Sequence, residues 1–119
     1  MSPDQIKAHL ESALEHCRGT HALEDVLAGI QKGQLQLWVG RASVAVTEWI
    51  SYPRKRVLSV FLAGGDIEDM ALHLPGIEAF ARGGGAGALM MHGRIRRPNG
   101  WDRMLGFEPC WTGHWKELT

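Results

Sequence analysis

Apolar residues recur at helical spacing at the start of the chain and then switch to strict alternation. Ile6, Leu10, Ala13, Leu14 and Cys17 fall at three- and four-residue intervals, which predicts one buried helix face. Ser2, Pro3 and Asp4 supply a cap, a fixed φ and a negative charge at its start, and Gly19 is expected to end it. Thr20 is expected to cap a second helix with Glu24 and Asp25 in its first turn. Its stripe is Leu23, Val26, Leu27 and Ile30, closed by Gly33.

From Gln34 the period becomes two. Leu35, Leu37 and Val39 alternate with Gln34, Gln36 and Trp38. Val44, Val46, Glu48 and Ile50 then alternate with Ala45, Thr47, Trp49 and Ser51. The run "RVLSVFLA" from Arg56 is almost wholly apolar, as in a strand buried on both faces. Gly40-Arg41 and Tyr52-Pro53-Arg54-Lys55 are hairpin-sized connections, so these strands predict a three-stranded antiparallel meander with the third most central. After Gly64-Gly65, Asp66 can cap a third helix with Ile67, Met70, Ala71, Leu74, Ile77, Phe80 and Ala81 on its apolar side. Pro75 predicts a kink or break near Leu74. "ALMMHGR" then reads as a strand, "NGWDRMLGF" as a short helix from Asn99 to Gly106, and "EPCWTGHWKEL" as a closing strand.

Composition narrows the class. The 119 residues suit one α+β domain spanning 1–119, with 45% hydrophobic and 22% charged residues. Thirteen basic residues balance thirteen acidic ones, which argues against a general attraction to nucleic acid or an anionic membrane. The densest basic cluster, Arg94-Ile95-Arg96-Arg97, reads as a solvated turn before Pro98. No signal peptide or membrane span is expected at "MSPDQIKAHL" or elsewhere. With Cys17 and Cys110 as the only cysteines, reduced thiols in a cytoplasm are expected.

The order of elements resembles the GNAT superfamily of N-acetyltransferases, without that family's first strand. The expected architecture is an N-terminal helical hairpin, a three-strand meander, then helix, strand, helix and strand completing a mixed sheet. "WDRMLGFEP" carries the most specific likeness, to the family's "FYEKLGFEP", with Gly106 and Phe107 matching its Gly-Phe and Trp101 its aromatic. Val46 to Asp66 also resembles small GNAT-like proteins of bacteriophages and prophages, which would place the protein in a host cytoplasm or a virion.

The resemblance implies acetyl-CoA as cofactor, held at Phe61, Leu62, Ala63, Gly64, Gly65 and Asp66. The family's basic, glycine-rich pattern is missing there, and Asp66 puts a negative charge where a phosphate would sit. The string Arg82 to Gly87 does fit R-x-x-G-x-G/A, but it follows a helix. Exposed carbonyls and the negative end of the dipole repel an anion there, so Gly83 to Gly85 read as a cap and turn. The family tyrosine that protonates the departing thiolate corresponds to Asp102, whose reference pKa near 3.9 leaves it ionised. The single tyrosine, Tyr52, falls in a hairpin turn.

Glu48 is either a general base for an amine or an edge carboxylate, solvated or paired with Arg41 or Arg56. His92 and His114 could meet on adjacent strands, but no third ligand makes a metal site of them. His9, His16 and His21 read as surface residues, and no G-x-S-x-G is present. Five tryptophans imply an aromatic core or an association surface, with Trp111 and Trp115 suited to either. Two functions follow: a non-catalytic GNAT-like protein that binds or assembles with a protein partner or its own copies, or an acetyl-CoA-dependent N-acyltransferase with an atypical cofactor loop.

Overall fold

The structure, a computed structural model, describes residues 1–92, 105–110 and 113–119. Its elements are α1 (Pro3–Leu14), α2 (Leu23–Gln31), β1 (Leu35–Val39), β2 (Ser43–Ser51), β3 (Arg56–Gly65), α3 (Ile67–Gly83) and β4 (Ala88–Met91). The sheet order is β1-β2-β3-β4, antiparallel across the first two pairings and parallel between β3 and β4. The meander is therefore present, and β3 lies in the sheet interior as its apolar run predicts.

The helices cover opposite faces. Under α1 and α2, Leu10 and Val26 pack with Val44, Val46 and Leu62. Under α3, Met70, Leu74, Ile77 and Ala81 pack with Ala45, Leu58 and Val60. The period-two pattern of β2 sorts its side chains between these two cores. Complete burial of Leu10, Leu58 and Ile77 contributes about 2 kcal/mol for each side chain.

One register shift breaks the alternation. Val46 pairs with Leu62 and Thr47 with Val60, so Phe61 is an extra residue in β3. Such a bulge turns two successive side chains the same way. Phe61 and Leu62 accordingly both belong to the core beneath α1 and α2.

Several expectations are corrected. α1 stops at Leu14, before Gly19, because the amides of His16 and Cys17 bond only three residues back, to Ala13 and Leu14. Arg18 (φ 60°) and Gly19 (φ 74°) then reverse the chain in left-handed conformations. Cys17 thus lies in the turn, outside the helical stripe. Thr20 does not cap α2: its hydroxyl donates to the Cys17 carbonyl. The N-cap position is Ala22, whose amide donates to Asp25 Oδ2 at 2.9 Å. Leu27, expected in the buried stripe, is 37% exposed.

Pro75 neither breaks nor ends α3, which is continuous from Ile67 to Gly83. Pro75 and Ala71 both face solvent, so the carbonyl that loses its amide partner remains open to water. The closing strand is also absent among its described residues: 108–110 and 113–119 are in no strand, and His114 therefore faces no neighbouring strand from one. The expected helix, Asp102, Trp101, Trp111 and the basic cluster at 94–97 lie outside the described residues, except that Leu105-Gly106 form a turn with Gly106 at φ 82°.

Candidate functional site

Both ends of α3 adjoin glycine pairs or runs, Gly64-Gly65 before it and Gly83 to Gly85 at its close. At its C-terminus every amide across the glycine run already has a carbonyl partner. Gly84 donates to Phe80 and Ala81, Gly85 to Arg82, Ala86 to Ala81 and Gly87 to Arg56. Arg56 completes this end: its guanidinium stacks 3.8 Å from the Trp49 ring and donates to the Gly84 carbonyl at 2.6 Å. The run is a helix terminus and turn, as its position after the helix predicts.

The N-terminus of α3 is occupied by the protein's own acids. Asp66 caps the helix through Glu68 N, and its own amide donates to the Ala42 carbonyl at 2.8 Å. Glu68 and Asp69 add two carboxylates to the first turn. Asp69 is buried and accepts from the Ser43 hydroxyl at 2.6 Å and the Ala42 amide at 3.0 Å, with His73 Nε2 at 3.7 Å. The Ser43 hydroxyl, then the Ala42 amide, hold its carboxyl below the usual aspartate value against the opposing effect of burial. Gly64 and Gly65 are needed for close approach. A Cβ on Gly64 would lie 3.1 Å from the His9 carbonyl oxygen. One on Gly65 (φ 101°) would strike the Ala42 carbonyl oxygen.

This junction does not fit a pyrophosphate. An anion there would meet the Asp66 carboxylate on the Glu68 amide and the carboxylates of Glu68 and Asp69, with no basic residue in the first turn.

A cavity of about 600 Å³ lies beside the junction, between the α1–α2 turn and the end of β3. β3 pairs with β4 only over Val57–Val60, so Phe61 onward has no partner on that side among the described residues. Phe61, Leu62, Ala63, Gly64 and Gly65 line the cavity, whereas Asp66 does not. Glu48 reaches it from β2, half-buried on the face that also carries Val44 and Val46. Neither expected partner pairs with it. Arg56 is engaged with Trp49 and Gly84, and no ion pair to Glu48 exists among the described residues. Its register neighbour Ser59 has a fully buried hydroxyl with no hydrogen-bond partner.

The opposite wall holds residues that sequence reasoning did not assign to a site: His16, Cys17 and Arg18. The one signal for them was Gly19, which marks a turn but not what that turn covers. Burial pushes the Cys17 thiol up, but hydrogen bonds to the His21 backbone, the Thr20 side chain and the Gly19 and Thr20 backbone outweigh it and leave the thiol below its ordinary value. His21 packs edge-on against Phe61 with ring centroids 4.6 Å apart, tying the turn to the bulge. His92 and the half-exposed Trp115 complete the rim. Tyr52 stays in its hairpin turn, 46% exposed and away from this cavity. Among the described residues no three His, Cys, Asp or Glu side chains gather as a metal site, and no helix is long and apolar enough to cross a membrane.

No family model and no curated protein matches the chain. Solved structures do. A probable acetyltransferase superposes with a TM-score of 0.70 at 9% identity, over 98% of this chain and 91% of its own. The BH1408 protein of Bacillus halodurans, as a tetramutant, gives 0.63 at 12% identity over 97% and 88%. A mutant of TTHA1254 from Thermus thermophilus gives 0.62 at 14% identity over 85% and 84%. With a helical hairpin, a meander, a crossover helix and a parallel fourth strand in that order, the chain has a GNAT-like α+β fold.

Proposed function

We propose that this is a GNAT-like protein that acts by binding or assembly, without acetyl-CoA-dependent transfer. The observation that carries the reading is the state of the α3 N-terminus. Asp66 accepts from the Glu68 amide and two further carboxylates, Glu68 and Asp69, lie in the same first turn, so the fold's usual place for a pyrophosphate is self-capped and acidic. The cavity beside it is the binding site, with Phe61 to Gly65 as one wall. The likeness of Val46–Asp66 to phage and prophage proteins supports an origin in such a genome. The protein would then act in the host cytoplasm or the virion, with another protein or a second copy as its partner in assembly.

The second reading, an N-acyltransferase with an atypical cofactor loop, draws on two features: the unpaired stretch of β3 and a carboxylate, Glu48, facing the same cavity. Thermal melting with millimolar acetyl-CoA or CoA separates the two. A ligand at about a hundred times its dissociation constant adds about 2.7 kcal/mol of stability. The binding reading expects unchanged melting and no thiol release with amine acceptors. A rise in melting temperature followed by thiol release overturns it.

A further inference from the structure

The cavity carries two opposite charges that do not meet. Glu48 projects from the middle of β2 into a floor otherwise made by Phe61, Leu62 and Ala63, and it is half-buried there. Arg18 lines the same cavity from the α1–α2 turn, yet the two form no ion pair among the described residues. A partly desolvated carboxylate against apolar neighbours is costly until a cation or hydrogen-bond donor reaches it. The space between the two walls, about 600 Å³, lies within the range that holds a small organic molecule.

We propose that this cleft takes a small zwitterion, with its ammonium on Glu48, its carboxylate on Arg18 and its apolar body against Phe61, Leu62 and Trp115. The inference rests on the reading that the cleft binds ligands without an acyl-CoA. Other ligand classes match the lining less well. A purely apolar molecule leaves Glu48 unpaired. A phosphate or diphosphate would face Glu48, and among the described lining residues Arg18 is the one strong cation. A simple amine satisfies Glu48 but leaves the guanidinium without an anion. A molecule carrying both charges on one apolar frame pairs each wall with its complement. His16 and His92 stand on the same rim as further hydrogen-bonding groups for the carboxylate end.

Calorimetric titration with two triads of probes tests this. The first is L-leucine with isopentylamine and isocaproate. The second is ε-aminocaproate with hexylamine and hexanoate, which widens the separation of charges. The expected result is that at least one zwitterion binds roughly tenfold tighter than both of its singly charged analogues. Glu48→Gln should weaken that zwitterion and its amine by about tenfold and leave its carboxylate analogue unchanged. Arg18→Asn, a residue that tolerates the left-handed backbone at this position, should do the reverse. The bound zwitterion should also slow iodoacetamide alkylation of Cys17 but not of the exposed Cys110, which places it in this cavity.

The inference is overturned if neither zwitterion binds, if the amines bind as tightly as the zwitterions, or if both substitutions weaken all probes alike. None of those outcomes depends on acetyl-CoA. Stabilisation by acetyl-CoA in the melting experiment overturns the parent reading whatever the zwitterions do.

Discussion

Both ends of α3 are entered through glycines, and the glycines answer different demands. At the N-terminus Gly65 stands where the β1–β2 turn crosses the strand, with φ at 101° and no room for a Cβ beside Ala42. At the C-terminus Gly85 needs only its left-handed φ of 83°, with nothing within 4 Å of a Cβ, and Gly83 has open space and an ordinary φ. Glycine content therefore does not report ligand binding in this molecule. The deciding quantity is which backbone groups remain unpaired. At one end Asp66 covers the Glu68 amide amid two more carboxylates, and at the other the loop amides are spent on carbonyls.

The contrast is sharpest under substitution. Gly65→Ala should cost the most, on the order of 3 kcal/mol or more, because strain and a backbone collision coincide. The urea midpoint should fall accordingly, and a loss as small as that of an ordinary turn glycine would break the comparison. Ile77→Ala, in the fully buried middle of the same helix, should cost about 3 kcal/mol by the same measurement. It sets the scale for what α3 packing contributes independently of its ends.

Asp69→Asn tests the N-terminal end through pH. The folded carboxyl is held below its ordinary value of 3.8, so its stabilising effect is present above that value and disappears as pH falls through the lower, folded pKa. Melting temperatures of wild type and variant should therefore differ at pH 7 and converge under acid conditions below about pH 4. A constant gap across that window would remove Asp69 ionisation from the account. At the other end a Cβ on Gly84 would strike the Trp49 ring, but the effects at Gly85 and Gly83 should be small. Gly85→Ala should cost about 1 kcal/mol from its positive φ, whereas Gly83→Ala should be neutral or stabilise by up to about 1 kcal/mol. Equal and large losses at both would mean that this turn holds more than a chain reversal.

Much of this arrangement was legible before any coordinates. Alternation in β2 separates Val44, Val46 and Glu48 from Ala45, Thr47 and Trp49, and the two cores divide along that line. The trailing position of the glycine run follows from the helix before it. What local pattern could not convey was long-range. Ser43 and Asp69 are 26 positions apart, and only the crossing of the β1–β2 turn over α3 brings them together. The cap of α2 falls at Ala22 and not at Thr20, because the tighter turn after Leu14 claims the Thr20 hydroxyl for Cys17. Pro75 leaves α3 unbroken because its cost depends on whether the stranded carbonyl faces water, which no local rule states. For the cavity, residues 61–65 and Glu48 could be named from strand position. Arg18 and Cys17 could not, since their place depends on how the helical hairpin packs across β3.

Arg56 spans from the Trp49 ring to the last turn of α3, and Asp69 joins the first turn to Ala42 and Ser43. The helix is clasped to the sheet at both extremities, so it cannot peel away by fraying from either one. The amides of its buried middle, around Leu74 and Ile77, should exchange with deuterium more slowly than those of its first turn. By contrast, no hydrogen bond from a side chain of α1 or α2 reaches the sheet among the described residues, and the hairpin is held by the core around Leu10 and Val26 and by the His21–Phe61 contact. The wall of the cavity that carries Arg18 belongs to that hairpin, so its position over β3 is set by packing and not by polar ties.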